Sequence, residues 1–296
     1  MSLSKIVRVA VSLTVFVSFA FFANWQTRLV VFTKAAIVST RDTVSGSAQE
    51  SYHAKSVREL VLGLPDSLLP FSRGLHTQNE VALSFDACPA SGKNQFSEAI
   101  AKILIETRTP ATIFLSGRWV EQDTAATKLL SSDSLIELGN HSFSHPHMLH
   151  LSEDGMRKEL DRTQNIIAKL TGKTPFLFRA PFGEYNDTLV NLAMKSGLAT
   201  VQFDVESGDP DTTFTAQRLI KWVTQKTRNG SIVIMHINNR GWHTAQALPT
   251  IIQFLREKGY RLVKVSDLMK EVSERQSGEV LTSSEYNRDK KLSTSN

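Results

Sequence analysis

Ser231-Ile232-Val233-Ile234-Met235-His236 runs four apolar residues together and then delivers a histidine. A run this short and this continuously apolar reads as a strand buried on both faces, the kind from which parallel sheets are built. Outward from it, β-rich runs of similar length lie at 80–86, 111–115, 135–140, 176–179, 199–204 and 261–265. Between them apolar residues recur at helical spacing. The stretch 94–107 puts Phe96, Ile100, Ile103 and Leu104 on one face, and 152–170 opens on Ser152-Glu153-Asp154 ahead of Met156, Leu160, Ile166 and Ile167. The stretches 215–227, 244–258 and 266–272 behave alike. Strands alternating with helices imply right-handed crossovers and a parallel α/β sheet. Seven such units predict a closed or nearly closed barrel. An open doubly wound sheet is the competing arrangement, because pattern alone does not prove closure.

The chain has 296 residues, with 34 basic and 29 acidic side chains, a formal charge of +5. Apolar residues make up 41% and charged residues 21%, which is globular composition and excludes a collagen-like, disordered or multi-span membrane chain. The single cysteine, Cys88, excludes an internal disulfide framework and a four-cysteine zinc module. The basic residues are scattered without interleaved aromatics, which argues against nucleic acid as a partner.

Both ends read differently from the middle. Lys5 and Arg8 precede an apolar run over 9–25, so residues 1–32 are expected to be an export signal cleaved after Ala20 or a retained membrane anchor of about 20 residues. In either case the body lies outside the cytoplasm, periplasmic or extracellular, and an uncleaved leader makes the membrane a partner. Residues 33–75 read as linker and lead-in around Ser45-Gly46-Ser47, residues 76–272 as the catalytic domain, and the polar residues 273–296 as a disordered tail.

Chemically useful residues fall at the C-terminal ends of the expected strands, where parallel α/β barrels place their active sites. Asp86 ends the first run, and His141 and His145 follow the third. Arg179 ends the fourth, Asp209 follows the fifth, and His236 ends the sixth. His141 and His145, four apart, meet one divalent ion if the segment turns helically; two structural histidines are the alternative. Asp86 ends an apolar strand, where a carboxylate needs a partner or a role. A guanidinium such as Arg179 would hold it ionised, and the same geometry would serve a purely structural ion pair. His236 suits a general acid supported by Asp209, or a buried inert histidine. Glu184 with Asp209 forms a second carboxylate pair of the kind used in glycoside hydrolysis. His147, His150 and His243 read as surface or rim residues.

These segments, in this order, resemble the NodB-homology polysaccharide deacetylases (carbohydrate esterase family four). The resemblance covers Glu80 to about Met269. It rests on Ser84-Phe85-Asp86-Ala87, His141-Ser142-Phe143-Ser144-His145, Arg179-Ala180-Pro181-Phe182-Gly183, Glu206-Ser207-Gly208-Asp209-Pro210 and Ile234-Met235-His236. It implies a single catalytic domain folded as a distorted (β/α)7 barrel. It also implies a divalent metal, zinc above all with cobalt, nickel or manganese as alternatives, held by His141 and His145. Asp86 becomes the general base, tuned by Arg179, and His236 the acid that protonates the departing amine, tuned by Asp209. Pro181, Phe182 and Gly183 face substrate. The implied reaction removes N-acetyl groups from N-acetylglucosamine in an amino-sugar polymer or oligomer and releases acetate.

Three positions depart from the family pattern. Ala87 stands where the family has a metal-binding aspartate, Pro210 where it has tryptophan, and Asn238-Asn239 follow the last histidine where an aspartate is common. With Ala87 the ligand set is short by one, and either Asp86 or Cys88 is in reach to fill it. Two competing functions follow: a catalytically impaired relative that binds glycan without cleaving it, and a barrel glycosidase using Asp86 with Glu184 or Asp209.

Overall fold

The computed structural model describes residues 58–89 and 96–278. Eight strands form one sheet: β1 (Glu80–Ala87), β2 (Ala111–Leu115), β3 (Ile136–Asn140), β4 (Leu177–Phe178), β5 (Ala199–Thr200), β6 (Val205–Glu206), β7 (Ile232–His236) and β8 (Arg261–Val263). Every pairing among them is parallel. The order is β5-β4-β3-β2-β1-β7-β6, with β8 beside the opening residues of β1. Helices α1 (Glu98–Glu106), α2 (Gly117–Gln122), α3 (Thr124–Ser132), α4 (Glu153–Thr171), α5 (Asp187–Lys195), α6 (Ala216–Lys226) and α7 (Thr244–Glu257) lie between successive strands, and α8 (Val265–Gly278) follows the last one.

The sheet is a curled, incomplete barrel. Of residues 199–204, expected as one strand, only Ala199–Thr200 form one: β5 pairs with β4 at one border, and the separate β6, just beyond residue 204, pairs with β7 at the other. The lead-in chain fills the gap between the borders, Phe71 bridging to Val201 and Arg73 to Ser231. Asp204 sits at the break and accepts from Ile232 N at 2.8 Å and Ser231 Oγ at 3.0 Å. Its carboxylate therefore replaces the ladder that an unbroken strand would have made.

β1 shows how the core divides. Val81, Leu83, Phe85 and Ala87 pack outward under the helices with Ile113, Leu115, Val233 and Met235. Ala82 points inward, among Phe114, Ile232 and Val263, where Val61, Leu64, Leu68 and Phe71 of the lead-in and Leu268 and Met269 of α8 close the interior. Alternation with a period of two thus gives β1 two apolar environments, and every residue of the strand is buried.

The seven expected strands are present, the fifth shortened to Ala199–Thr200. Helix α1 starts at Glu98, capped by Ser97 Oγ, rather than at 94. α4 and α6 start behind Ser152 and Thr215, whose hydroxyls accept from Gly155 N and Arg218 N. Three helices, α2, α3 and α5, lie outside the expected set. Residues 58–75, expected as lead-in, belong to the folded body through Val61, Leu64, Leu68 and Phe71. Helix α8 continues through Gly278, past the expected boundary at 272. The leader (1–32), residues 33–57 and residues 279–296 lie outside the described residues. Among the described residues no helix is long and apolar enough to cross a membrane.

Candidate active site

The C-terminal strand ends surround a cavity of about 200 Å³, lined among others by Asp86, Cys88, His141, His145, Asp209 and His236. Register places two of them side by side: Asp86 of β1 is the direct partner of His236 of β7.

Asp86 is buried and accepts from Arg179 Nη1 at 2.9 Å. Its second oxygen lies 3.6 Å from His141 Nε2. Burial pushes its pKa up, but His141, Arg179 and His236 outweigh that and hold it below the usual carboxylate value. Arg179 is itself fully buried, donates to Ser84 Oγ at 2.9 Å, and lies over the Phe114 ring at 4.1 Å. Two donors and an aromatic face fix the guanidinium plane, a geometry that lysine does not reproduce.

His236 Nδ1 and its own backbone N–H both reach Asp209, at 2.9 and 2.7 Å. Asp209 also accepts from Thr244 Oγ1 at 2.6 Å and Ser207 Oγ at 3.0 Å. Burial would lower the pKa of His236, yet its bonds to Asp209 and Cys88 push it up from 6.5 to about 10. The ring therefore carries its proton through neutral pH, with Nδ1 held by Asp209.

His141 and His145 do converge, but not on a helix. Ser142 and His145 have φ of 60° and 59°, so the segment 141–145 makes a left-handed turn. Such backbone persists only where surroundings over-determine it. Here Glu159 of α4 accepts from Phe143 N at 2.8 Å, Ser144 N at 2.7 Å and Ser144 Oγ at 2.9 Å. Asn140 Oδ1 accepts from Ser142 N at 2.9 Å. Gly117 makes room beside it, since a Cβ there would lie 2.2 Å from the Phe143 ring. His141 Nδ1 faces the Arg179 carbonyl at 2.8 Å, which assigns the hydrogen to Nδ1 and leaves the Nε2 lone pair aimed at the cavity.

Cys88 joins the two histidines: its sulfur and one ligand atom from each ring all lie within 4.8 Å of one another. Burial raises the thiol pKa, and bonding to His141, His145 and His236 brings it well below its ordinary value. A thiolate and two imidazoles form a donor set that fits a tetrahedral divalent metal with one position open. Ala87 belongs to the outer apolar layer.

Of the remaining expected residues, Phe182 and Gly183 line the cavity while Pro181 is buried beneath them. Phe182 is 52% exposed, has φ of 59°, and stacks on His147 at 4.1 Å between ring centroids. Glu184 does not pair with Asp209. It bonds His147 Nδ1 at 2.9 Å at the surface, and it is not part of the cavity lining, which removes Glu184 from the carboxylate pairs available for glycoside hydrolysis and leaves Asp86 with Asp209. Glu159, Ser84 and Asn238, whose Nδ2 donates to the Cys88 carbonyl at 2.6 Å, had no sequence signal of their own.

Residues 74–201 match the family described as polysaccharide deacetylase. The chain is 29% identical over 205 residues to a peptidoglycan-N-acetylglucosamine deacetylase of Bacillus cereus, a match covering 68% of this chain and 72% of that protein. It is 30% identical over 181 residues to the Bacillus subtilis protein YlxY, named as uncharacterized, covering 60% of this chain and 54% of that one. The chain therefore spans about half the length of that relative. Among solved structures, a CE4 family pseudoenzyme from Bacillus anthracis superimposes with a TM-score of 0.61 at 31% identity, over 67% of this chain and 68% of that one. A mutant of the same pseudoenzyme is described as having restored enzymatic activity.

Proposed function

Since the chain belongs to the polysaccharide deacetylase family, carbohydrate esterase family four, we propose that it is a metal-dependent hydrolase that removes N-acetyl groups from N-acetylglucosamine units of a polymer or oligomer and releases acetate. One observation carries this reading. Two charge-supported groups, Asp86 on Arg179 and His236 on Asp209, stand on adjacent strands at one cavity beside His141 and His145.

When bound, a divalent metal held by His141 and His145 supplies Lewis acidity toward the acetyl carbonyl and the attacking water. Zinc suits imidazole donors, and cobalt, nickel and manganese are the alternatives. Asp86, kept ionised by Arg179, accepts the proton that the water loses as its oxygen adds to the carbonyl carbon. His236 donates from Nε2 to the amide nitrogen as the carbon–nitrogen bond breaks, and Asp209 stabilises the imidazolium until then. The products are acetate and a free amino sugar. Phe182, with Pro181 and Gly183 shaping its turn, offers a ring face to the sugar. The substrate class is peptidoglycan, a chitin-like oligomer or an exopolysaccharide, and the leader at residues 1–32 accords with export to meet it.

A second reading, a glycan-binding relative without turnover, is favoured by Ala87 and by the likeness to a pseudoenzyme. The deciding experiment measures acetate from N-acetylchitooligosaccharides and peptidoglycan with the full-length chain. It is run metal-free, after addition of each metal, and beside His141→Ala. Metal-restored acetate that His141→Ala lacks establishes the deacetylase. Glycan retention with no acetate under any metal establishes the second reading, and new reducing ends without acetate would instead revive the glycosidase.

A further inference from the structure

Position 87 is usually counted as the ligand position, yet the backbone of β1 points elsewhere. Successive side chains of a strand face opposite sides, so the residue that follows Asp86 on the cavity side is Cys88. Asp86 and Cys88 both line the cavity, whereas Ala87 packs against the outer apolar layer. The backbone that carries the thiol is held from two sides. Ser116 Oγ donates to the Ala87 carbonyl at 3.0 Å, and Asn238 Nδ2 donates to the Cys88 carbonyl at 2.6 Å.

The sulfur–nitrogen separation suits one ion, and all three donor atoms lie within 4.8 Å of one another. Cys88 Sγ lies 3.6 Å from His141 Nε2. A tetrahedral zinc with Zn–S of about 2.3 Å and Zn–N of about 2.0–2.1 Å puts sulfur and nitrogen about 3.5–3.6 Å apart. The Nε2 lone pair is free for it, because the Nδ1 hydrogen is given to the Arg179 carbonyl. Asp86, the other nearby donor, already has Oδ1 on Arg179. It falls outside the group formed by Cys88, His141 and His145.

We propose that Cys88 is the third protein ligand, completing a Cys88-His141-His145 site for a soft divalent metal such as zinc and leaving Asp86 outside the coordination shell. This rests on the metal-dependent reading above and specifies its ligand set. A thiolate in the set favours zinc or cobalt over manganese, which prefers oxygen donors. It also makes Cys88 the position at which a thiol-directed reagent competes with the metal.

The test is a cobalt(II) titration of the metal-free full-length chain, followed by absorbance. The expected result is a near-ultraviolet thiolate-to-cobalt charge-transfer band together with the visible bands of a four-coordinate ion. Cys88→Ser, nearly the same size, is expected to lose the charge-transfer band. Cys88→Ala is expected to bind zinc at least on the order of 100-fold more weakly in chelator competition, beyond what loss of an outer-shell partner causes. Circular dichroism confirms that both variants fold. Wild-type cobalt binding without the charge-transfer band overturns the proposal, as does wild-type zinc affinity in Cys88→Ala or failure of the wild-type chain to bind any metal. Acetate release without the band removes the ligand set and keeps the deacetylase. The band without acetate keeps the ligand set and removes the deacetylase.

Discussion

Asp86 and Glu137 are carboxylates of one parallel sheet, separated by β2, and their surroundings drive them in opposite directions. Asp86 lies near the C-terminal end of β1, at the mouth, opposite Phe114. Glu137 is at the base, the second residue of β3, opposite Thr112. Glu137 accepts from Thr112 Oγ1 at 2.8 Å and Ser266 N at 3.3 Å. Burial pushes its pKa up, and these neutral donors with Lys264 only partly offset that. Asp86 is desolvated too, but His141, the Arg179 guanidinium that touches it and His236 stand beside it, so its pKa falls. Desolvation is common to both ends of the barrel, and an adjoining full positive charge decides the sign. The mouth therefore keeps its carboxylate ionised, while the base tolerates a carboxyl that favours its neutral form.

The largest expected effect comes from deleting that charge. Arg179→Gln leaves Asp86 buried without its counter-ion and is expected to cost about 3–5 kcal/mol in urea unfolding at neutral pH, with acetate release lost. Because the folded pKa of Asp86 is depressed, the stability it confers is present above its unfolded value of 3.8. That stability disappears as pH falls through the folded value, and the variant should lack this acid limb. A loss under about 1 kcal/mol would break the comparison.

Next in size is Asp209→Asn, expected to lower turnover by about 10²–10⁴-fold. Without the carboxylate that helps raise it from 6.5 to about 10, His236 deprotonates earlier, so the alkaline limb of the pH–rate profile moves toward neutrality. An unmoved limb would assign it to another group.

The smallest effect sharpens the other side. Glu137→Gln keeps an acceptor for Thr112 Oγ1 and removes the charge, so stability at neutral pH should change by no more than about 1 kcal/mol. A raised folded pKa means that the contribution of Glu137 is fully present below its unfolded value of 4.5 and is lost as pH rises through the folded value. Urea midpoints measured upward from there should decline in wild type and stay flatter in the variant.

Much of this was legible before the fold. The apolar run at 232–235 read as a buried strand, and Ser152 before Met156 and Leu160 announced α4 by a local cap and a face. Asp86, Arg179 and His236 stood out because a polar group ending an apolar strand needs a partner. Glu159 did not stand out. It is one of several acidic residues on α4, and only packing against the turn at 143–145 gives it three donors. Glu184 misled for the same reason, since nothing local shows that it faces His147 instead of the cavity.

The sequence by itself determined the alternation of strands and helices, the strand ends that carry chemistry and the family, because hydrophobic period and capping are properties of short segments. Tertiary structure alone decided that residues 199–206 divide into β5 and β6 at two sheet borders, with Phe71 and Arg73 bridging to Val201 and Ser231. It also decided that the His141–His145 turn is left-handed, and that Cys88 rather than Ala87 faces both histidines. Those outcomes depend on which distant segments share a wall, and distance along the chain carries no record of that.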